Sequence, residues 1–139
     1  MINPTPRHFR KVNRKSLRNT YENKSYKLKF GSFGIQAVEY GFLTVRQIEA
    51  VRRTITGRLK RKGKVWIRAF PDYPRTSKPK EVRMGRGKGN ISHWVCYIKP
   101  GRILFEAECK EVDRLKEALT FALRKFPFFT QIIMRNNKF

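Results

Sequence analysis

The sequence predicts an α+β domain with two helices packed on a mostly antiparallel sheet. Three observations carry this: two segments repeat apolar residues at helical spacing, several others look like strands, and the two kinds do not alternate regularly. A length of 139 residues suits one domain, and 40% hydrophobic residues can fill one core. The expected division is a basic arm over residues 1–29, the α+β domain over 30–135 and a frayed end over 136–139.

The arm holds nine cations (Arg7, Arg10, Lys11, Arg14, Lys15, Arg18, Lys24, Lys27, Lys29) against one acid, Glu22, and has few aliphatics, so it buries little by itself. From Phe30 the stretch FGSFGIQAVEYGFLT mixes glycine with β-favouring residues, as in a strand closely approached by another backbone. Thr44-Val45-Arg46-Gln47 then matches a capping box. Val45, Ile48, Val51, Ile55 and Leu59 follow on one helical face, and Gly63 is expected to close that helix. KVWIRAF, 64–70, reads as a central strand with apolar groups on both sides, and PDYPRTSKPK as a loop or edge connection because of its three prolines. Two strand-like runs flank Lys99-Pro100-Gly101-Arg102, whose central Pro-Gly suits a type II turn and an antiparallel hairpin. The second helix is expected over 111–126, with Val112, Leu115, Leu119, Ala122 and Phe126 inward, acids at its start, cations at its end and Pro127 as a stop. FFTQIIM, 128–134, supplies a last strand.

Charge is the unusual quantity. Lys and Arg number 33 against 10 Asp and Glu, a net charge of +23. Such a domain repels itself, and a polyanion relieves the repulsion while releasing its own condensed counterions. Nucleic acid is therefore the leading partner. An anionic membrane surface competes, but no apolar run of about 18 residues could span a bilayer. The candidate phosphate ligands are the arm cations Arg7, Arg10, Lys11, Arg14, Lys15 and Arg18, the helix cations Arg46, Arg52, Arg53, Arg58, Lys60 and Arg61, and then Lys64 and Arg68. A second candidate is the loop Arg83, Met84, Gly85, Arg86, Gly87, Lys88, Gly89 and Asn90, where glycine permits close backbone approach and the cations meet phosphates.

No catalytic or metal site emerges. The glycine pattern G-x-G-x-G precedes a strand rather than opening a helix, and Lys88 is followed by Gly89, so neither nucleotide fingerprint fits and no cofactor is implied. Five acids cluster in one segment, Glu106 and Glu108 projecting alike from a strand and Glu111, Asp113 and Glu117 supporting a helix, and they read as a face turned away from the polyanion. His8 and His93 lack a second ligand at workable spacing, and Cys96 and Cys109 read as small hydrophobes.

Six blocks, FRKV, FGSFGIQAV, LTVRQIEAVRRTI, GKVWIRAFPDYP, KPKEVRMGRGKGN and WVCYIKPGRILFE, resemble in order the family of large-subunit ribosomal protein sixteen, over most of residues 9–106. The resemblance implies an α+β fold, binding to large-subunit rRNA and neighbouring ribosomal proteins, and approach of Arg83–Asn90 to tRNA in the A site and the P site. It implies no catalytic group, no membrane and no homo-oligomer. Arg83 matches an arginine that is hydroxylated in some bacterial members. Residues 12–29 lack the glycines usual in the bacterial arm, and AECKEVDRL replaces a glycine-containing turn. The match begins almost at Met1, leaving no room for a cleavable presequence, and the chain is rich in Phe, Lys, Ile and Asn. A mitochondrial member is the expectation, with a plastid or the bacterial cytoplasm as alternatives. A free-standing basic RNA-binding regulator and an RNA-acting enzyme are the competing functions.

Overall fold

The computed structural model describes residues 11–13 and 20–135. The expected frayed end, and Arg7, Arg10, Arg14, Lys15 and Arg18, lie outside the described residues. Seven strands and two helices follow in the order β1 (Phe33–Ala37), β2 (Gly41–Thr44), α1 (Val45–Arg58), β3 (Lys64–Ile67), β4 (Tyr73–Ser77), β5 (Asn90–Ile98), β6 (Ile103–Glu108), α2 (Val112–Leu123) and β7 (Thr130–Met134). The α+β class holds, but the strands form two antiparallel sheets, in the orders β3-β6-β1-β7 and β2-β5-β4.

Alternation along the first sheet sorts its residues into two faces. Phe33 stands opposite Ala107 and Ile35 opposite Phe105 and Ile132, while Val65 and Ile67 pair with Ala107 and Phe105. This face packs on Ile48, Val51, Ile55 and Leu59 of α1 and its C-cap and on Leu115, Ala118, Leu119 and Ala122 of α2, making one apolar core with Leu43, Cys96 and Ile98. The capping box of α1 forms as the sequence predicts: Thr44 Oγ1 accepts from the Gln47 amide, and Gln47 Oε1 accepts from that of Thr44.

The structure corrects several expectations. The stretch 30–44 is two strands in different sheets, because residues 38–40 leave the first ladder before β2 joins β5. α1 ends at Arg58, not Gly63; Lys60 and Arg61 reverse the chain with φ of 48° and 64°. Gly63 instead packs on the carbonyl of Glu108, which lies 2.8 Å from where a Cβ would stand. β3 is an edge strand, its outer face carrying Trp66 stacked on Phe30 at 6.0 Å. The proline-rich segment contains a true strand, β4, tolerated at the edge of the second sheet where Pro74 needs no donor on its open side.

The turn at 99–102 forms, with Gly101 at φ 86° and the Arg102 amide donating to Lys99 O at 3.2 Å. Its flanking strands do not pair as a hairpin. Gly101 N donates to Ala37 O and Ala37 N to Arg102 O, drawing β6 onto β1 while β5 stays between β2 and β4. In α2 the helix spans 112–123, Val112 is exposed, and Ala118 takes an inward place.

Candidate nucleic-acid interface

The glycine-rich loop runs from the end of β4 to Asn90, which opens β5. Residues 81–88 are all exposed, and Met84 is 97% accessible. Left-handed backbone at three consecutive positions, Gly85 (φ 107°), Arg86 (φ 53°) and Gly87 (φ 75°), folds the tip back on itself. No atom lies within 4 Å of where a Cβ on Gly85 or Gly87 would stand. Glycine there serves the turn, and it leaves backbone open to an approaching ligand. Gly89 has a different reason: a Cβ would run into the Ser77 carbonyl.

The helix cations divide into two groups. Glu49, which the sequence reading passes over, binds Arg52 at 2.7 Å and Arg53 at 2.9 Å. The hydrogen bond from Arg52, then that from Arg53, holds its carboxyl down at about 2. Arg58 lies 3.1 Å from Glu117 and 3.3 Å over the Phe121 ring, tying α1 to α2. Arg46, Lys60, Arg61 and Lys64 are not buried, and no acid among the described residues pairs with them.

Arg68 has an inward task. Its side chain is only 12% exposed, and it donates to Glu106 Oε1 at 2.6 Å and to the Lys27 carbonyl at 2.7 Å. Glu106 is wholly buried and also accepts the amides of Lys29, Phe30 and Gly31, at 3.0, 2.7 and 2.9 Å on Oε2. Burial alone pushes this carboxyl up, but the amides of Gly31 and Phe30, the Arg68 guanidinium and the Lys29 amide outweigh it and leave the group below its ordinary value. Glu106 therefore does not belong to an outward acidic face with Glu108, which is exposed. It fastens a strap, residues 27–31, across the sheet face away from the helices, and Leu28 of the strap sits 2.5 Å from where a Gly34 Cβ would stand. The strap crosses the expected border of arm and domain at residues 29 and 30.

Three further cations carry no sequence signal of their role. Arg75 lies 4.5 Å over the Phe42 ring on the second sheet, Lys78 Nζ donates to the Gly85 carbonyl, and Arg102 donates to the Tyr97 carbonyl at 3.1 Å. Only the prolines around Arg75 and Lys78 signal this edge, and they mask it as a loop. Among the described residues no helix is long and apolar enough to cross a membrane, and no three His, Cys, Asp or Glu side chains group as for a metal. His93 is exposed with Nδ1 3.2 Å from Ser92 Oγ, and both cysteines are free.

Fold and surface define a small basic α+β protein, held together by one core and carrying an open, cation-rich loop suited to a polyanion. A family model described as "Ribosomal protein L16p/L10e" matches residues 4–133. The chain belongs to that family, and it is a structural ribosomal protein, not an enzyme. It is similar to the proteins named "Large ribosomal subunit protein uL16" of Acinetobacter baumannii (strain ATCC 17978), 52% identical, and Psychrobacter cryohalolentis, 49% identical. Each alignment covers 97% of this chain and 98% of the relative. These relatives are bacterial, so they lend the bacterial alternative support and the mitochondrial expectation none.

Proposed function

We propose that the chain binds large-subunit rRNA through its arm and the exposed cations of α1 and the following turn, and presents Arg83–Asn90 to tRNA in the A site and the P site. It is a structural constituent of the large ribosomal subunit, surrounded by rRNA and neighbouring ribosomal proteins. The relatives that support this reading are bacterial, which favours a ribosome of bacterial type. The observation that carries the tRNA reading is the loop tip, where three left-handed residues leave Arg83, Met84 and Arg86 exposed and open space beside Gly85 and Gly87.

Arg86 is the residue to change, and asparagine is the replacement, because it tolerates left-handed backbone while removing the charge. Large subunits carrying Arg86→Asn are expected to incorporate the protein normally and to bind A-site tRNA several-fold more weakly. Incorporation failing first, with tRNA affinity intact in the subunits that form, refutes this division of labour. For rRNA, each neutralised phosphate adds roughly 0.7 to 0.9 to the salt slope, so an rRNA fragment should bind with a log-log slope steeper than about −4.

A further inference from the structure

The arm and the loop touch. Lys88 Nζ donates to the Val12 carbonyl at 2.5 Å, and Lys11 Nζ donates to the Lys88 carbonyl at 2.9 Å. The Tyr73 hydroxyl donates to the Asn13 carbonyl at 2.9 Å and lies 3.3 Å from that of Val12. On the other flank, Lys78 reaches the Gly85 carbonyl and Gly89 rests on Ser77. The loop is thus held at its base by β4 and along its C-terminal side by arm residues lying 76 and 77 positions away in sequence.

This pairing runs against the general electrostatics of the chain. Two ammonium groups of a molecule carrying +23 are brought to neighbouring carbonyls, those of Lys88 and Val12, where bare Coulomb repulsion favours separation. Carbonyl oxygens offset it, since each is an acceptor and each ammonium has three donors. Each ammonium uses one donor here, so a phosphate can be held without breaking the contact. Arg83 and Arg86 carry the loop's outward charge, whereas Lys88 is turned to the arm.

We propose that Lys11, Lys88 and Tyr73 are positioning residues that couple the arm to the glycine-rich loop, so that where the arm is anchored sets where the loop tip stands. The consequence for tRNA rests on the proposed function above; the coupling itself does not. Lys11 is exposed and outside the core, so its replacement leaves the fold intact.

The test is 15N relaxation on the full chain. With Lys11→Met, order parameters at Gly85, Gly87 and Gly89 are expected to fall to less than about 0.6 while those of α1 stay near about 0.85. Lys11→Arg, which keeps a donor, restores them. Lys88→Met gives the same loss, and combining it with Lys11→Met adds less than the sum, as for residues in one contact. Loop order unchanged by Lys11→Met, or not restored by arginine, overturns the coupling. Large subunits carrying Tyr73→Phe, which removes an arm contact without touching a cation proposed for rRNA, supply the second readout: tRNA bound several-fold more weakly at unchanged incorporation supports the coupling and its consequence together. Loss of loop order with tRNA affinity unmoved upholds the coupling and instead sinks the tRNA reading of the loop.

Discussion

Replacing Glu106 by glutamine changes shape very little and hydrogen bonding a great deal. In the native protein the two carboxylate oxygens divide the work, Oε1 facing Arg68 and Oε2 facing the amides of residues 29–31. Glutamine keeps one acceptor. If its oxygen serves the strap, its NH2 group confronts the guanidinium; if it serves Arg68, the NH2 group confronts three amides. In either pose buried donors meet donors, at about 1–3 kcal/mol for each group left unsatisfied. Breaking a buried ion pair from one side costs about 3–5 kcal/mol, and the surviving hydrogen bond argues for the lower end, about 3 kcal/mol. At this chain length that lowers Tm by roughly 10 °C.

The pH dependence gives an independent check. The folded carboxyl lies below its ordinary 4.5, so its contribution is fully present above that value and is lost as pH falls through the folded pKa. Urea unfolding of Glu106→Gln and the parent chain should therefore differ most near neutrality and converge in acid. Arg68→Met combined with Glu106→Gln should cost less than the two single changes added, because no lone charge is left buried. A Glu106→Gln midpoint at pH 7 matching the parent, or a difference that grows toward acid, refutes the fastening of the strap by Glu106.

Gly57 lies inside α1 with nothing within 4 Å of where a Cβ would stand, so Gly57→Ala should stabilise by about 0.5–1 kcal/mol in thermal unfolding. Gly31→Ala should destabilise in the same assay, since its Cβ would stand 2.7 Å from the Ala107 carbonyl oxygen, a backbone atom that cannot step aside. Burial pushes the Cys96 thiol up while Cys109 is partly accessible, so a thiol reagent should modify one sulfur quickly and the other only on unfolding, with peptide mapping placing the fast site at Cys109.

Local chemistry is legible where the partners are close in sequence. The Thr44–Gln47 box, the apolar stripe of α1 and the Pro-Gly turn at 100–101 each announce themselves within a few residues. Pairing of strands is not legible, because a tight turn fixes only the reversal, and the ladder that follows is decided by backbone groups far away, such as Ala37 against residues 101 and 102. Arg68 reads as a free cation for a similar reason. Its carboxylate lies 38 residues on, and the strap amides that complete the site have no sequence signature at all. Arg52 and Arg53 differ: Glu49, at i−3 and i−4, is visible and its pairing follows from helical spacing.

The chain crosses between its two sheets four times, at 38–40, through α1, at 68–72 and at 99–102, and the first sheet places β1 between β6 and β7, the latter ending at Met134. During synthesis, then, no early portion is a finished unit: β1 waits for both neighbours until nearly the whole polypeptide has emerged. Non-local pairing of this kind slows folding and leaves strand edges open meanwhile. A protein so basic thus spends its nascent life incomplete beside the RNA-rich machine that makes it, with truncations before residue 130 leaving one edge of β1 unpaired.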